Sequence, residues 1–269
     1  MKTILVHIEG DEGQGARLQA AFDLARAFGG HVMCLSVMPY AAYALGDPAM
    51  GAFPVTTLIE AVESQRRQER ATVEAQLRAE GISWEWRAAD GDSAERLAEA
   101  ARLADIVVMS AGPFAHNANL HLAITGDVAL RAPAPVLAVP PGGKGVRVAG
   151  PALVAWDGSQ EAAVAMRSAM PMLAKAESVA ILTVEEKDPL YTARDAAAFL
   201  SRHGISADVV ERGRGGASVE QVIRSVLAER SIAWMVQGAY GHSRLRQTLF
   251  GGVTRGLLSD APVPIIIAH

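Results

Sequence analysis

The chain has 269 residues, half of them hydrophobic and a fifth charged, which is ordinary globular composition for about two domains. A net charge of −4 without a long basic run disfavours nucleic-acid binding, which depends on neutralising phosphates. The single cysteine, Cys34, excludes an intrachain disulfide. No apolar stretch approaches the roughly 18 residues of a membrane span, and the N-terminus lacks the apolar core of a signal peptide. We therefore expect a cytoplasmic protein with neither a nucleic-acid nor a membrane partner.

In the first half, short apolar runs alternate with helical stretches, a pattern that predicts parallel strands joined by helical crossovers. The predicted strands lie near 3–8, 31–37, 82–88, 106–110 and 135–139. The predicted helices lie near 14–28, 55–80, 93–103 and 120–131. The extra segment 39–56 is rich in Gly, Pro and small apolar residues, which fits an ordered loop or lid and equally a mobile surface insertion.

The second half shows the same alternation. Its predicted strands lie near 151–156, 178–184, 206–211, 232–237 and 263–268. Its predicted helices lie near 159–174, 189–203, 217–229 and 250–259. The join, PPGGKGVRVAG (140–150), is so rich in Gly and Pro that we predict an exposed connector. Domain one then covers 1–140 and domain two covers 149–269.

The two halves also resemble each other in sequence, which indicates an internal duplication. Laid together without gaps, the A-P-A-P of 132–135 falls on the A-P-V-P of 261–264, and an apolar run follows each. Near the start of each half, Glu9-Gly10 falls on Asp157-Gly158 directly after an apolar strand. The predicted fold is therefore α/β, with two tandem Rossmann-like domains, each a five-stranded, mainly parallel sheet flanked by helices.

The most informative motif lies after the fourth strand of the second half. It reads Gly238-Ala239-Tyr240-Gly241, nine residues, then Gly251-Gly252-Val253-Thr254. Ligands of open α/β sheets bind at the carboxyl ends of strands, and glycines there let the backbone approach a ligand closely. The second glycine pair opens a helix, whose free N–H groups and dipole favour an anion. A phosphate chain would fit between the two glycine pairs, although the same glycines would also serve a tight strand–loop–helix turn.

A G-x2-G-x9-G motif between a strand and a helix that ends in A-P-x-P resembles the universal stress protein family. The resemblance covers essentially the whole chain, once per half. It implies an adenine nucleotide alpha hydrolase-like fold and an internal pseudo-dimer, in which the last strands, 136–139 and 265–268, pair with each other. It leaves a homodimer of whole chains open.

The resemblance also implies a site for ATP or a related adenine nucleotide in the second half. There Asp157 would meet the adenosine part, Val184 would line the adenine pocket, and the motif glycines would wrap the ribose and phosphates. Gly252 replaces the usual Ser or Thr, and Thr254 is the nearby residue that still offers a hydroxyl. Trp156 is a bulky neighbour of this pocket. The candidate nucleotide-binding residues are Asp157, Val184, Gly238, Gly241, His242, Gly251, Gly252, Val253 and Thr254.

The corresponding motif of the first half is degraded. The gap-free alignment places Met109 at the position of Gly238 and Leu122 at that of Gly251. Leu122 would occupy the phosphate position at the helix start, and Pro113 removes one backbone donor. We predict that the first half does not bind ATP in the usual way.

The sequence offers little support for catalysis, because it lacks a Ser/His/Asp order, a zinc-ligand run and a P-loop. Asp157 is one carboxylate that would hold Mg²⁺ beside phosphates, and His242 either contacts phosphate or faces water. Three hypotheses follow. The protein binds a nucleotide that alters its shape or partners, or it is a nucleotide-free interaction scaffold, or it is a slow ATP hydrolase.

Overall fold

The structure, a computed structural model, describes residues 1–38, 55–112, 118–184, 190–239 and 252–269. Most of the predicted 39–56 loop lies outside these residues. The first half runs β1 (Thr3–Ile8), α1 (Gln14–Phe28), β2 (His31–Met38), α2 (Val55–Glu80), β3 (Ser83–Asp90), α3 (Ser93–Ala100), β4 (Ile106–Ser110), α4 (Ala118–Arg131) and β5 (Val136–Val139). The second half runs β6 (Ala152–Ala155), α5 (Gln160–Ser168), α6 (Met170–Leu173), β7 (Val179–Val184), α7 (Ala193–Arg202), β8 (Asp208–Arg212), α8 (Val219–Glu229), β9 (Trp234–Gly238), α9 (Gly252–Ser259) and β10 (Ile265–Ala268). In the part of the chain so described, no helix combines the length and the apolar character needed to cross a membrane.

The ten strands form one continuous sheet in the order β3-β2-β1-β4-β5-β10-β9-β6-β7-β8. Neighbouring strands within each half are parallel, and the two halves meet where β5 and β10 pair antiparallel, with Leu137 opposite Ile266. The predicted pair of five-stranded α/β units and their arrangement as an internal pseudo-dimer are therefore confirmed.

Helices cover both faces of the sheet, so the central strands are apolar on both sides. Ile4, Leu5 and Val6 of β1 are fully buried in succession, and they belong alternately to two separate cores. One core lies under α1, α2, α5, α6 and α7, and we call this side of the sheet the α1/α5 face. The other lies under α3, α4, α8 and α9, and we call it the α4/α9 face.

Side-chain caps decide where several helices begin. Ser159 accepts a hydrogen bond from the Ala162 N–H at 3.1 Å and thereby starts α5. Thr192 and Asp195 form a reciprocal capping box, so α7 starts at Ala193 and the predicted helix over 189–203 begins too early. The predicted helix over 159–174 is in fact two helices, because a new one with proline in its first turn starts at Met170.

The join between the halves is tied down on both sides. Val146 and Val148 are buried, which corrects the prediction of an exposed connector over 140–150 for these two residues. The Val146 N–H donates to Asp23 of α1 at 2.9 Å, and the Trp234 indole N–H of β9 donates to the Val148 carbonyl at 3.2 Å. The join therefore contacts the first helix of one half and the fourth strand of the other.

The antiparallel seam also sets the direction of the two halves. Because β5 and β10 run in opposite directions, every strand of the first half runs opposite to every strand of the second half. The carboxyl ends of the two sets of strands consequently lie at opposite edges of the sheet. Any ligand sites at strand ends are thus separated by the length of the strands.

We expect the two halves to unfold as one unit, because the shared sheet and the buried join couple them. Leu137→Ala, at a fully buried position of the seam, should lower the free energy of unfolding by about 2–5 kcal/mol. In a background in which Trp84 and Trp86 are replaced by Phe, fluorescence reports only Trp156 and Trp234 of the second half. Urea unfolding followed by that fluorescence and by far-UV circular dichroism should give one coincident transition, and Leu137→Ala should shift both signals equally. Two separate transitions would contradict the coupling.

Candidate functional site

Each half has one point at which the strand order reverses, and open α/β sheets bind ligands at such points, outside the carboxyl ends of the strands. In the first half this point lies between β1 and β4, and in the second half it lies between β6 and β9. We call these the first crevice and the second crevice.

The strand register identifies equivalent residues in the two crevices. Ile4 pairs with Ile106 in the first half, and Ala152 pairs with Trp234 in the second. The alignment of Glu9 with Asp157 makes Ile4 equivalent to Ala152, so Ile106 is equivalent to Trp234.

The register corrects the gap-free alignment, which is wrong by one residue at β4 and β9. Gly238 corresponds to Ser110, and Met109 corresponds to Gln237. The alignment is nevertheless right at the last strands, because the residue before β5 and the residue before β10 accept equivalent hydrogen bonds. The second half therefore has one additional residue between its fourth and fifth strands.

The first crevice is occupied by a side chain of α1. Arg17 is 1% exposed and its guanidinium donates to the carbonyls of His7 at 3.0 Å and Glu9 at 2.9 Å. It also donates to the Asp11 carboxylate at 2.9 Å and to the Ser110 hydroxyl at 2.5 Å. A buried charge is stable only when it is paired and hydrogen-bonded, and these contacts meet that requirement. The guanidinium thus joins the carboxyl ends of β1 and β4 where a ligand would otherwise enter.

Acidic groups surround this guanidinium. Burial raises the pKa of Glu69 on α2; Arg17 and Arg66 act to lower it, whereas the carboxylates of Glu9 and Asp11 raise it further. The space that remains is a small cavity, lined by His7, Arg17, Met109, Ser110, Ile124 and Thr125. The first crevice is therefore filled by the chain's own side chains.

Two of the side chains that fill the first crevice have smaller counterparts in the second. By the strand register, His7 corresponds to Ala155 and Ser110 corresponds to Gly238. Residues 160–166 of α5 contain no arginine to match Arg17. Ala155 and Gly238 are half-buried, whereas His7 and Ser110 are buried. The side chains at the ends of β6 and β9 are therefore smaller than those at the ends of β1 and β4.

The structure brings several of the predicted site residues to one edge. Val184 ends β7, Asp157 follows β6, and Gly238 ends β9. One Asp157 carboxylate oxygen accepts the N–H of Ser159 at 3.0 Å, which shapes the turn after the strand. Val184 and Ala155 both contact the core of the α4/α9 face, so this side of the crevice has an apolar floor.

The structure describes only some residues of the predicted anion site at the second glycine pair. Gly252 begins α9 and is exposed, and a side chain added to it would meet no described residue within 4 Å. Val253 is half-buried and Thr254 is buried. Gly241, His242 and Gly251 lie outside the described residues.

Gly238 has a packing role of its own. A Cβ atom at this position would lie 2.6 Å from the Ala162 backbone nitrogen and 2.7 Å from the Glu161 carbonyl carbon. Both atoms belong to the first turn of α5. The absence of a side chain therefore lets α5 pack directly on β9, whether or not a ligand binds.

Trp156 does not fill the apolar floor. Its indole is buried in the core of the α1/α5 face, opposite to Val184, and its N–H donates to the Tyr191 carbonyl at 3.0 Å. The Thr183 hydroxyl donates to the Trp156 carbonyl at 2.8 Å. Trp156 thereby ties the ends of β6 and β7 to the segment before α7.

Two residues of the second crevice, Ala155 and Gln237, are absent from the set that the sequence predicts. The available signal was the alternation of strand faces, which places both on the same side as Val184. Within the described ranges, His, Cys, Asp and Glu side chains form no group of three or more that would hold a metal ion.

The comparisons with known proteins agree with this architecture. A family model described as the universal stress protein family matches residues 1–140, which is just over half of the chain. The chain therefore belongs to the universal stress protein family, as the sequence motifs predict. A search of curated proteins found no match.

Solved structures resemble the whole chain. A universal stress protein from Archaeoglobus fulgidus DSM 4304 superposes with a TM-score of 0.75 at 17% identity, over 99% of this chain and 97% of that one. A putative universal stress protein from Pseudomonas aeruginosa UCBPP-PA14 superposes with a TM-score of 0.58 at 18% identity, over 100% of this chain and 93% of that one. At such low identity these similarities establish the fold, and they extend it over both halves.

Because α5 packs on the bare backbone of Gly238, we expect Gly238→Ala to destabilise the protein by about 1–3 kcal/mol even without ligand. Gly252→Ala is the matched control, since open space surrounds that glycine, and it should change stability little. Urea unfolding of the two variants measures the difference. Equal effects would mean that contact with α5 does not explain the glycine at 238.

Glu69 gives a pH-dependent prediction. Its raised pKa means that the folded state disfavours the carboxylate, so stability falls as the pH rises above the ordinary value of 4.5. Glu69→Gln should therefore stabilise the protein at pH 7. This gain should disappear below pH 4.5, where the Glu69 side chain of the wild type is protonated and so is as neutral as glutamine. The control is Glu63→Gln on the same helix, at a more exposed side chain, for which we expect no comparable gain. A gain from Glu69→Gln that is constant between pH 4 and 7 would contradict the assignment.

Proposed function

We propose that the second crevice binds an adenine nucleotide, ATP or a related one, and that the first crevice does not. The observation that carries this proposal is the difference between the crevices at equivalent positions. Where His7, Arg17 and Ser110 close the first crevice, the second has Ala155, Gly238 and no arginine over residues 160–166 of α5. The protein would then have one nucleotide site and one structural half.

The residues around the second crevice suit the parts of such a ligand. The apolar floor at Val184 and Ala155 would support the flat base, and Asp157 would meet the ribose hydroxyls at the adjacent strand end. The start of α9 at Gly252 would meet the phosphates with free N–H groups and a favourable dipole. Mg²⁺ bound to a nucleotide needs only one or two protein carboxylates, so Asp157 would be sufficient for an ion that arrives with the phosphates.

One observation favours the alternative of a nucleotide-free scaffold. The contact between Gly238 and α5 explains one motif glycine without any ligand. It does not explain the exposed glycine at the start of α9, Gly252, or the small residue at Ala155.

Ala155→His installs the side chain that stands at the equivalent position of the first crevice, and it should abolish nucleotide binding by filling the floor. In the wild type, a nucleotide at 100 times its dissociation constant should add about 2.7 kcal/mol of stability, seen as a rise in melting temperature. The variant should keep a cooperative melt and lose that rise with AMP, ADP and ATP.

Ala149→His is the matched control, because it places the same side chain at an exposed position near the opposite end of the same strand. It should retain the full nucleotide response. A wild-type protein that responds to none of the three nucleotides would refute the proposal and support the scaffold. Binding that survives Ala155→His would show that the ligand lies elsewhere.

A further inference from the structure

Gln237 on β9 is a buried polar residue whose amide is not satisfied. The residue is 5% exposed, and its side-chain nitrogen is buried with no hydrogen-bond acceptor among the residues that the structure describes. A buried donor without a partner lowers stability, so such a group in a folded protein calls for an explanation.

The side chain of Gln237 lies on the α4/α9 face. Its neighbour Gly238 points toward α5 on the other face, and Met235, two residues earlier, belongs to the core of the α4/α9 face. The Gln237 amide is therefore on the same side of the sheet as the apolar floor of the second crevice and the start of α9.

The first half is different at this position. Gln237 corresponds to Met109, which is 2% exposed and needs no hydrogen bond. The nearby Thr125 hydroxyl donates to the Ser110 carbonyl at 3.0 Å. Among the residues that the structure describes, an amide nitrogen without an acceptor thus lies in the second crevice, at the position where the first crevice has the thioether of Met109.

We propose that the Gln237 amide donates a hydrogen bond to the nucleoside part of the ligand in the second crevice, an inference that rests on the proposed nucleotide site. Val184 and Gln237 are on strands separated by β6, and Val184 lies two residues further toward the carboxyl end, so they lie roughly 12 Å apart. A nucleoside whose base rests against Val184 and whose sugar lies toward β9 would come within reach of the Gln237 side chain. The phosphates would lie beyond the nucleoside, toward the start of α9. The Gln237 contact is therefore to the nucleoside, which AMP, ADP and ATP share.

Gln237→Met tests this role by removing the amide and introducing the residue that the first half uses at the same position. We expect the ligand-free variant to melt at a higher temperature than the wild type, because a buried unsatisfied donor is gone. Isothermal titration calorimetry should show AMP, ADP and ATP each bound about tenfold more weakly, by the same factor. A residue with only a structural role would not lower affinity while raising stability.

Met109→Gln is the matched control. It buries an amide in the first crevice, so it should lower the melting temperature and leave the three dissociation constants unchanged. Unchanged affinities in Gln237→Met, or affinities reduced by factors that differ among the three nucleotides, would overturn the role of Gln237 alone. A wild-type protein that binds none of the nucleotides would overturn the proposed site and this role with it.

Discussion

The antiparallel pairing of β5 with β10 is the interaction on which the rest of the architecture depends. Each of these strands is apolar, fully or almost fully buried, and would be an exposed sheet edge in an isolated half. Because both edges are in one chain, they cover each other at high effective concentration. The pairing also fixes the strand directions of the halves, which places the two crevices at opposite edges of the sheet and lets each change without altering the other.

The contrast between the crevices then has a simple physical form. A buried guanidinium is tolerated only where carbonyl, hydroxyl and carboxylate oxygens surround it, and Arg17 has all three kinds. Such a network is costly to open, because opening it would leave both Arg17 and Asp11 without their partner. This half is joined to the other through the seam and the buried join.

The sequence predicts the fold far better than it predicts the site. Alternating apolar runs and the repeated A-P-x-P motif are sufficient for ten strands, because the strands other than β3 and β8 are buried along most of their length. The site depends on single residues. A gap-free alignment does not detect the one-residue difference in length, and it therefore matches Gly238 with Met109 instead of Ser110. Arg17 was missed because its long side chain acts at a distance from its own helix.

The family assignment and the site argument draw on different halves of the chain. The family model matches residues 1–140, whose crevice is filled, whereas the complete glycine motif lies in the other half. Family membership therefore reflects the positions that build the sheet and its helices, which both halves need equally. Under the proposed function, whether a half holds a ligand depends on the size of a few side chains at strand ends, such as Ala155 against His7.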